Sequence, residues 1–231
     1  MCYGDSAIEP LRHRVRECED SDVTLLCCPE GTLGGLADYV DTPERIAIPR
    51  DGNALARGLE PLASESVTVI VGFTEREESG RYYNAAAVYS RGRVTGIYRK
   101  RHPAIRHSRY SAGEELPVFA VPGATLGVLI CRDSVDATLM AALVAQGAHV
   151  VCIPTNNAMP VDRAGVDLVD EIRALDRQYA ERFGITILRA DVVGVHDCLT
   201  SAGTSMVTRS NGDQVTAHGG GAGELLVVDG V

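Results

Sequence analysis

ATLGVLICRDS, residues 124–134, is an apolar run that breaks off into Cys131, Arg132, Asp133 and Ser134. A short unbroken apolar stretch closed by polar turn residues reads as a strand buried on both faces, and this one delivers a thiol at its carboxyl end. Two other stretches finish the same way: VTLLCCPEG (23–31) on Glu30, and VTGIYRKRHP (94–103) on Lys100. In open α/β sheets the crevice outside the carboxyl ends of the strands is where ligands bind. A thiol, an ammonium and a carboxylate brought to one crevice supply a nucleophile, a cation and a base, a set suited to attack on an amide-like carbon.

Working outward, Ile8, Leu11, Val15 and Cys18 recur at helical steps, and Asp20, Ser21 and Asp22 end that pattern before the strand Val23–Cys28. Residues 31–52 form a long Gly-, Asp- and Pro-containing stretch, and a loop of that length after a buried strand is often functional. A short helix is expected near Asn53–Ser64, then strands at VTVIVGF and YYNAAAVYS and a hairpin through Gly92 into VTGIYR. PVFAV and TLGVLIC pair across a Pro122-Gly123 turn. Val135, Leu139 and Leu143 share a helical face that stops at Gly147. HVVCIPT is the next buried strand. Leu168, Ile172, Leu175, Tyr179 and Phe183 mark the longest helix, ended by Gly184, and ITILRAD follows as a strand. TSMVTRS, QVTA and ELLVVD complete the chain as strands. The glycine-rich run His218–Gly223 lacks the spacing and the following helix of a phosphate loop. Helical crossovers and tight hairpins coexist, which predicts an α/β fold with mixed sheets.

The 231 residues are 45% hydrophobic, enough for a single domain spanning 1–231 with a core that needs no staples. A net charge of −9 argues against a nucleic-acid footprint. The basic stretch Tyr98–Arg109 reads by itself as a solvated loop. Seven cysteines, an odd number, include Cys18, Cys27, Cys28 and Cys152 in apolar patterns, as small core residues. Neither a signal peptide nor a membrane-length apolar run is read, so a reduced, cytoplasmic setting without a membrane partner is expected. Without paired CxxC strings or Cys/His clusters, no metal site is expected.

Each of the three residues has a bland reading. Cys131 alone is a core cysteine. Its place at a strand-to-helix junction changes this, because the unpaired N–H groups of a helix start favour thiolate and can serve as oxyanion donors. Lys100 alone is a strand-end lysine pointing to water. Glu30 follows an apolar run where a lone carboxylate is costly to bury, so it needs a partner.

Together these strings resemble the carbon–nitrogen hydrolase (nitrilase) superfamily. Cys28-Pro29-Glu30 resembles its first block, Tyr98-Arg99-Lys100-Arg101-His102 its second, and Gly127 to Asp133 its third. YYNAAAVYS with the hairpin after it, QGAHVVCIPTNN, RALDRQYAERFGITILRADVVG and GTSMVTRSNGDQV extend the likeness, in order, over nearly the whole chain. The resemblance implies a four-layer αββα sandwich of two β-sheets. It implies Cys131 as nucleophile, Glu30 as general base, and Lys100 as oxyanion stabiliser with the backbone N–H of Arg132. Attack forms a thioester that water releases, without a metal or organic cofactor. Assembly as a homodimer or larger homo-oligomer is also implied.

Three departures accompany the likeness. The second glutamate that many members carry some seven residues after the lysine is missing; Arg106 and His107 occupy that place, and Glu114 and Glu115 lie beyond Gly113. His107 is a candidate replacement, against the plainer reading of a solvent-facing loop histidine. The proline–glutamate pair after Cys-x-Asp is replaced by SVDAT, and the chain begins close to the first helix, so the family's opening strand is expected to be missing or the start misassigned. Nitrile-cleaving branches of the superfamily typically carry tryptophan after the nucleophile, so with Arg132 there and no tryptophan in the chain the resemblance implies amide or N-carbamoyl substrates over nitriles. Arg132, Asp133, Asn156 and Asn157 are candidate pocket residues, with turn chemistry as the rival reading. Arg132 and the basic loop suggest an anionic amide. The competing functions are a catalytically impaired binding or interaction protein and an acyltransferase that passes the same thioester to an amine.

Overall fold

The computed structural model describes residues 7–160, 167–196, 199–217 and 223–229. Helix α1 (Ile8–Asp20) leads into β1 (Leu25–Cys27); β2 (Ile48–Pro49) and helix α2 (Ala54–Leu59) follow the long loop. β3 (Thr68–Arg76), β4 (Tyr82–Ser90) and β5 (Arg93–Arg99) complete the first sheet, ordered β1-β3-β4-β5 with β2 beside the far end of β3. The second half supplies β6 (Val118–Val121), β7 (Ala124–Val128), α3 (Ala137–Ala145), β8 (Val150–Thr155), β9 (Ala158–Pro160), α4 (Asp167–Phe183) and β10 (Thr186–Asp191). It ends in β11 (Val193–His196), β12 (Leu199–Ala202), β13 (Met206–Thr208) and β14 (Gln214–Thr216). The second sheet runs β14-β13-β10-β8-β7-β6, and β11-β12-β9 form a small third sheet that the sequence reading did not anticipate.

Side-chain alternation builds the layers. Val69, Val71 and Phe73 of β3, with Ala85, Ala87 and Tyr89 of β4, face Val15, Cys18 and Leu59 on the helical side. Their neighbours Ile70, Ala86 and Val88 point the other way, to a core shared with Leu126, Val128, Val150 and Cys152 of the second sheet. This period of two, with both faces apolar, makes the first sheet a layer between helices and the second sheet. Both sheets are mixed: β1 and β2 run parallel to β3 while β3, β4 and β5 alternate, and β7, β8 and β10 are parallel between antiparallel flanks. The αββα sandwich expected from the sequence is the fold observed.

Several expectations need correcting. ELLVVD forms no strand; Leu225 packs on the helical-side core and Leu226 and Val228 on the inter-sheet core, so its side chains are used while its backbone joins no ladder among the described residues. Val135 is 64% exposed, because α3 starts only at Ala137, where Asp136 caps it by accepting from the Thr138 N–H. The strand before Cys131 ends at Val128. The opening residues 1–6, and residues 218–222 of the glycine-rich run, lie outside the described residues. No helix among the described residues is long and apolar enough to cross a membrane.

Candidate active site

Glu30 is placed by a turn that bridges the sheets. After β1 the Cys28 N–H still bonds the Ile70 carbonyl of the first sheet, and two residues later the Glu30 N–H donates to the Thr155 carbonyl of the second, at 3.3 Å. Gly31 adopts φ +65° to make that turn. Gly72 makes room for it: a Cβ there would stand 2.7 Å from Gly31 N and 2.8 Å from Pro29 O, closer than real Cβ contacts allow.

Lys100 follows the last residue of β5 and stays anchored, its N–H donating to the Asn84 carbonyl and its own carbonyl accepting from Gly113. Its Nζ donates to Glu30 Oε1 at 2.6 Å, and Asn84 Nδ2 donates to the same oxygen at 2.6 Å. All three side chains are buried. Burial by itself would lower the Lys100 pKa, but the Glu30 carboxylate outweighs it, so the pKa is raised and the ammonium stays charged. Among the described residues, the side-chain hydrogen bonds to Glu30 all reach Oε1, which leaves Oε2 for other work. Asn84 Oδ1 is buried without a partner among them.

Cys131 opens a 3₁₀ turn, Cys131–Val135, and has φ +47°, a backbone region costly for a residue with a Cβ. The Ser134 hydroxyl donates to its carbonyl at 2.8 Å. Asp133, fully buried, ties this turn to the Lys100 flank: it accepts from the Tyr98 hydroxyl at 2.7 Å, His102 N–H at 2.7 Å and Arg101 N–H at 3.3 Å. Burial raises the Asp133 pKa against these donors. The Cys131 thiol lies 3.9 Å from the Asn156 carbonyl and 3.8 Å from Asn157 Oδ1. Burial first, then the Glu30 charge, push it up to about 12, opposed by Lys100, the Asn156 backbone and Arg189. The thiolate expected at a helix start is thus opposed here: a 3₁₀ turn stands where an α-helix was expected, and burial raises the thiol pKa.

Glu30, Lys100, Cys131, Asn84 and Asn156 line one cavity of about 30 Å³. Its outer wall comes from two loops, one contributing Leu36, Asp38 and Tyr39 and the other Pro103, Ala104, Ile105 and Tyr110. The loops are clasped: Asp38 accepts from Arg109 N–H at 2.7 Å and the Ser108 hydroxyl at 2.8 Å, and the Tyr110 hydroxyl accepts from Ala37 N–H at 2.6 Å. Asn157 stands behind the thiol, its amide held by Asp191 and Thr204. Arg132 and His107 are exposed and do not line the cavity, whose wall among the described residues holds no arginine or histidine. The residues that carried the anionic-amide expectation thus lie outside the cavity, whose charged lining is Glu30, Asp38 and Lys100. Asp38, Tyr39 and Tyr110 escaped sequence reading, because nothing marks which part of a long loop turns inward. Among the described residues no three His, Cys, Asp or Glu side chains gather as metal ligands.

Two mixed sheets between helices, with a thiol, a carboxylate and an ammonium meeting at their strand ends, define a nitrilase-superfamily protein. The chain matches the carbon-nitrogen hydrolase family over residues 11–229 and belongs to it. It is 27% identical over 205 residues to a protein named "Hydrolase in pqqF 5'region" from Pseudomonas protegens, covering 87% of this chain and 70% of that one. It is 29% identical over 229 residues to glutamine-dependent NAD(+) synthetase of Thermotoga maritima, covering 96% of this chain but only 38% of the synthetase. The solved structure of an amidase from Nesterenkonia superposes with a TM-score of 0.77 at 20% identity, covering 94% of this chain and 81% of that one.

Proposed function

We propose that the protein hydrolyses a small amide or N-carbamoyl compound through a thioester on Cys131. The observation that carries this reading is the half-used carboxylate: Glu30 Oε1 is fixed by Lys100 and Asn84 while Oε2 takes no hydrogen bond among the described residues, on the cavity that also holds the thiol. With the thiol protonated at rest, Glu30 acts as general base at the moment of attack, not as partner to a standing thiolate. Sγ bonds to the carbonyl carbon as its proton passes to Glu30. Lys100 Nζ and the Arg132 N–H, a donor in the first turn of the 3₁₀ segment, meet the oxyanion. Glu30 returns the proton to the leaving nitrogen as the C–N bond breaks. Water, deprotonated by Glu30, then attacks the thioester, releasing the acid and restoring the thiol.

The wall favours neutral or cationic substrates, since two carboxylates face one ammonium and like charges brought together are penalised. The cavity is narrow, about 30 Å³, and the exposed side chains of Tyr39 and Ile105 on its wall are the ones to swing aside as an acyl group enters. Matched neutral, cationic and carboxylate-bearing amides and ureido compounds, followed by intact-protein mass spectrometry and product analysis, test the reading. An acyl adduct on Cys131 with acid product, and carboxylated substrates at least roughly tenfold slower, are expected. No adduct and no product from any of them would remove the hydrolase reading and leave a binding protein. Hydroxamate formed on adding hydroxylamine at the expense of acid would instead indicate acyl transfer.

A further inference from the structure

Outside the cavity lining lies an ion pair that this chemistry does not use. Arg189 of β10 forks onto Asp176 of α4, with Nε 2.8 Å from Oδ2 and Nη2 2.7 Å from Oδ1. The two side chains are 2% and 0% exposed. A pair so deeply buried is weak evidence of stabilisation, because its desolvation penalty is large and apolar residues of similar volume often replace such pairs without loss.

Its remaining donors have specific destinations. Nη2 also donates to the Ser134 hydroxyl at 3.1 Å, and that hydroxyl donates onward to the Cys131 carbonyl at 2.8 Å. Nη1 donates to the Thr155 hydroxyl at 3.1 Å, and the Thr155 carbonyl accepts the Glu30 N–H. One planar guanidinium thus reaches the backbone of the nucleophile and the backbone of the base, each through a single residue. The turn it reaches on one side is the one with Cys131 at φ +47°, which surrounding contacts must hold in place.

We propose that Arg189 is a positioning residue, fixing the separation of the Cys131 and Glu30 turns through Ser134 and Thr155. The role needs a rigid fork with donors in several directions, which arginine has and lysine lacks. Asp176 orients that fork. Arg189 also acts on the thiol by charge, lowering its pKa against burial. The inference rests on the reading of Cys131 as nucleophile, but its test does not require a known substrate.

Four variants decide it: Arg189→Met combined with Asp176→Leu, Arg189→Lys, Ser134→Ala and Thr155→Val. Folding is checked by circular dichroism and urea midpoint. Site-resolved iodoacetamide alkylation of Cys131 at fixed pH is measured by mass spectrometry, with kcat and KM for any amide that is turned over. The double variant is expected to fold, with Cys131 alkylation and kcat each lowered about tenfold or more and KM within about threefold, as for a misplaced reacting pair. Arg189→Lys keeps the charge and is expected to remain slow. A folded double variant with parental alkylation and kcat would overturn the proposal. Should that variant not fold, Ser134→Ala and Thr155→Val decide, since both leave the ion pair intact; parental rates in both overturn it, and slowed rates in both sustain it. A parent that turns over no amide but whose alkylation still falls in these variants loses the hydrolase reading and keeps this one.

Discussion

Glu30 and Glu75 are equally hidden, at 3% and 1% exposure, and each meets a cation from the same end of β5. Lys100 and Arg99 are adjacent, so they leave the strand on opposite faces. There the likeness ends. Arg99 grips Glu75 with Nε on Oε2 and Nη2 on Oε1, both at 2.8 Å, while stacking over Tyr83 at 3.7 Å. Both carboxylate oxygens are occupied, and the pair is finished. Lys100 and Asn84 both crowd one oxygen of Glu30 and, among the described residues, leave the other unbonded. The open basin near Glu75, lined by Arg50, Asp51, Glu77, Glu78 and Ser79, is about 520 Å³, far larger than the cavity at Glu30. Glu77 in its wall is held by Arg81 at 2.6 Å and by Arg50 at 3.6 Å. Reactive capacity here follows unused valence, not room.

The largest blow to this comparison should come at Cys131 and Lys100. Cys131→Ala should lower amide turnover by roughly 10⁴ or more with the fold retained, as removal of a nucleophile does elsewhere. Lys100→Met should cost roughly 10²–10³ in kcat through the lost oxyanion donor. It should also shift the urea midpoint down, because Glu30 is left buried and unpaired. Steady-state kinetics beside urea titrations read both.

A thiol pushed up to about 12 should, in the absence of substrate, alkylate faster with every rise in pH, by about tenfold per unit. An ordinary cysteine would level off near ~8.5, and such a plateau for Cys131 would mean that the thiolate is already present. The smallest effect on turnover should come from the finished pair. Arg99→Met should lower stability by about 3 kcal/mol, by leaving buried Glu75 with only the longer Arg50 contact at 3.8 Å, yet hold kcat per folded molecule within about twofold. A large loss of kcat there would join the two ion pairs functionally and erase the contrast.

Much of this was legible in the chain. Buried strands announce themselves by unbroken apolar runs, so the residues that end them, Glu30, Lys100 and Cys131, stood out before any geometry. Short strands gave no such signal: Ala158–Pro160 and Leu199–Ala202 are too brief and too polar to read, and the small third sheet was missed. Arg189 looked like one more residue of ITILRAD. Its partner Asp176 is thirteen residues away on α4, and only the packing of that helix on β10 brings them together. Arg132 and His107 misled for the opposite reason, since adjacency in sequence to a reactive residue does not fix which way a side chain turns.

The left-handed backbone at Cys131 bears on how such a chain would age. Glycine adopts that conformation freely, whereas a side chain there carries a penalty on the order of 1–3 kcal/mol. In a lineage released from selection for turnover, drift to glycine at 131 would meet no resistance from folding and would be helped by it. Retention of a thiol at that one position, across descendants of this gene, would therefore record continued use.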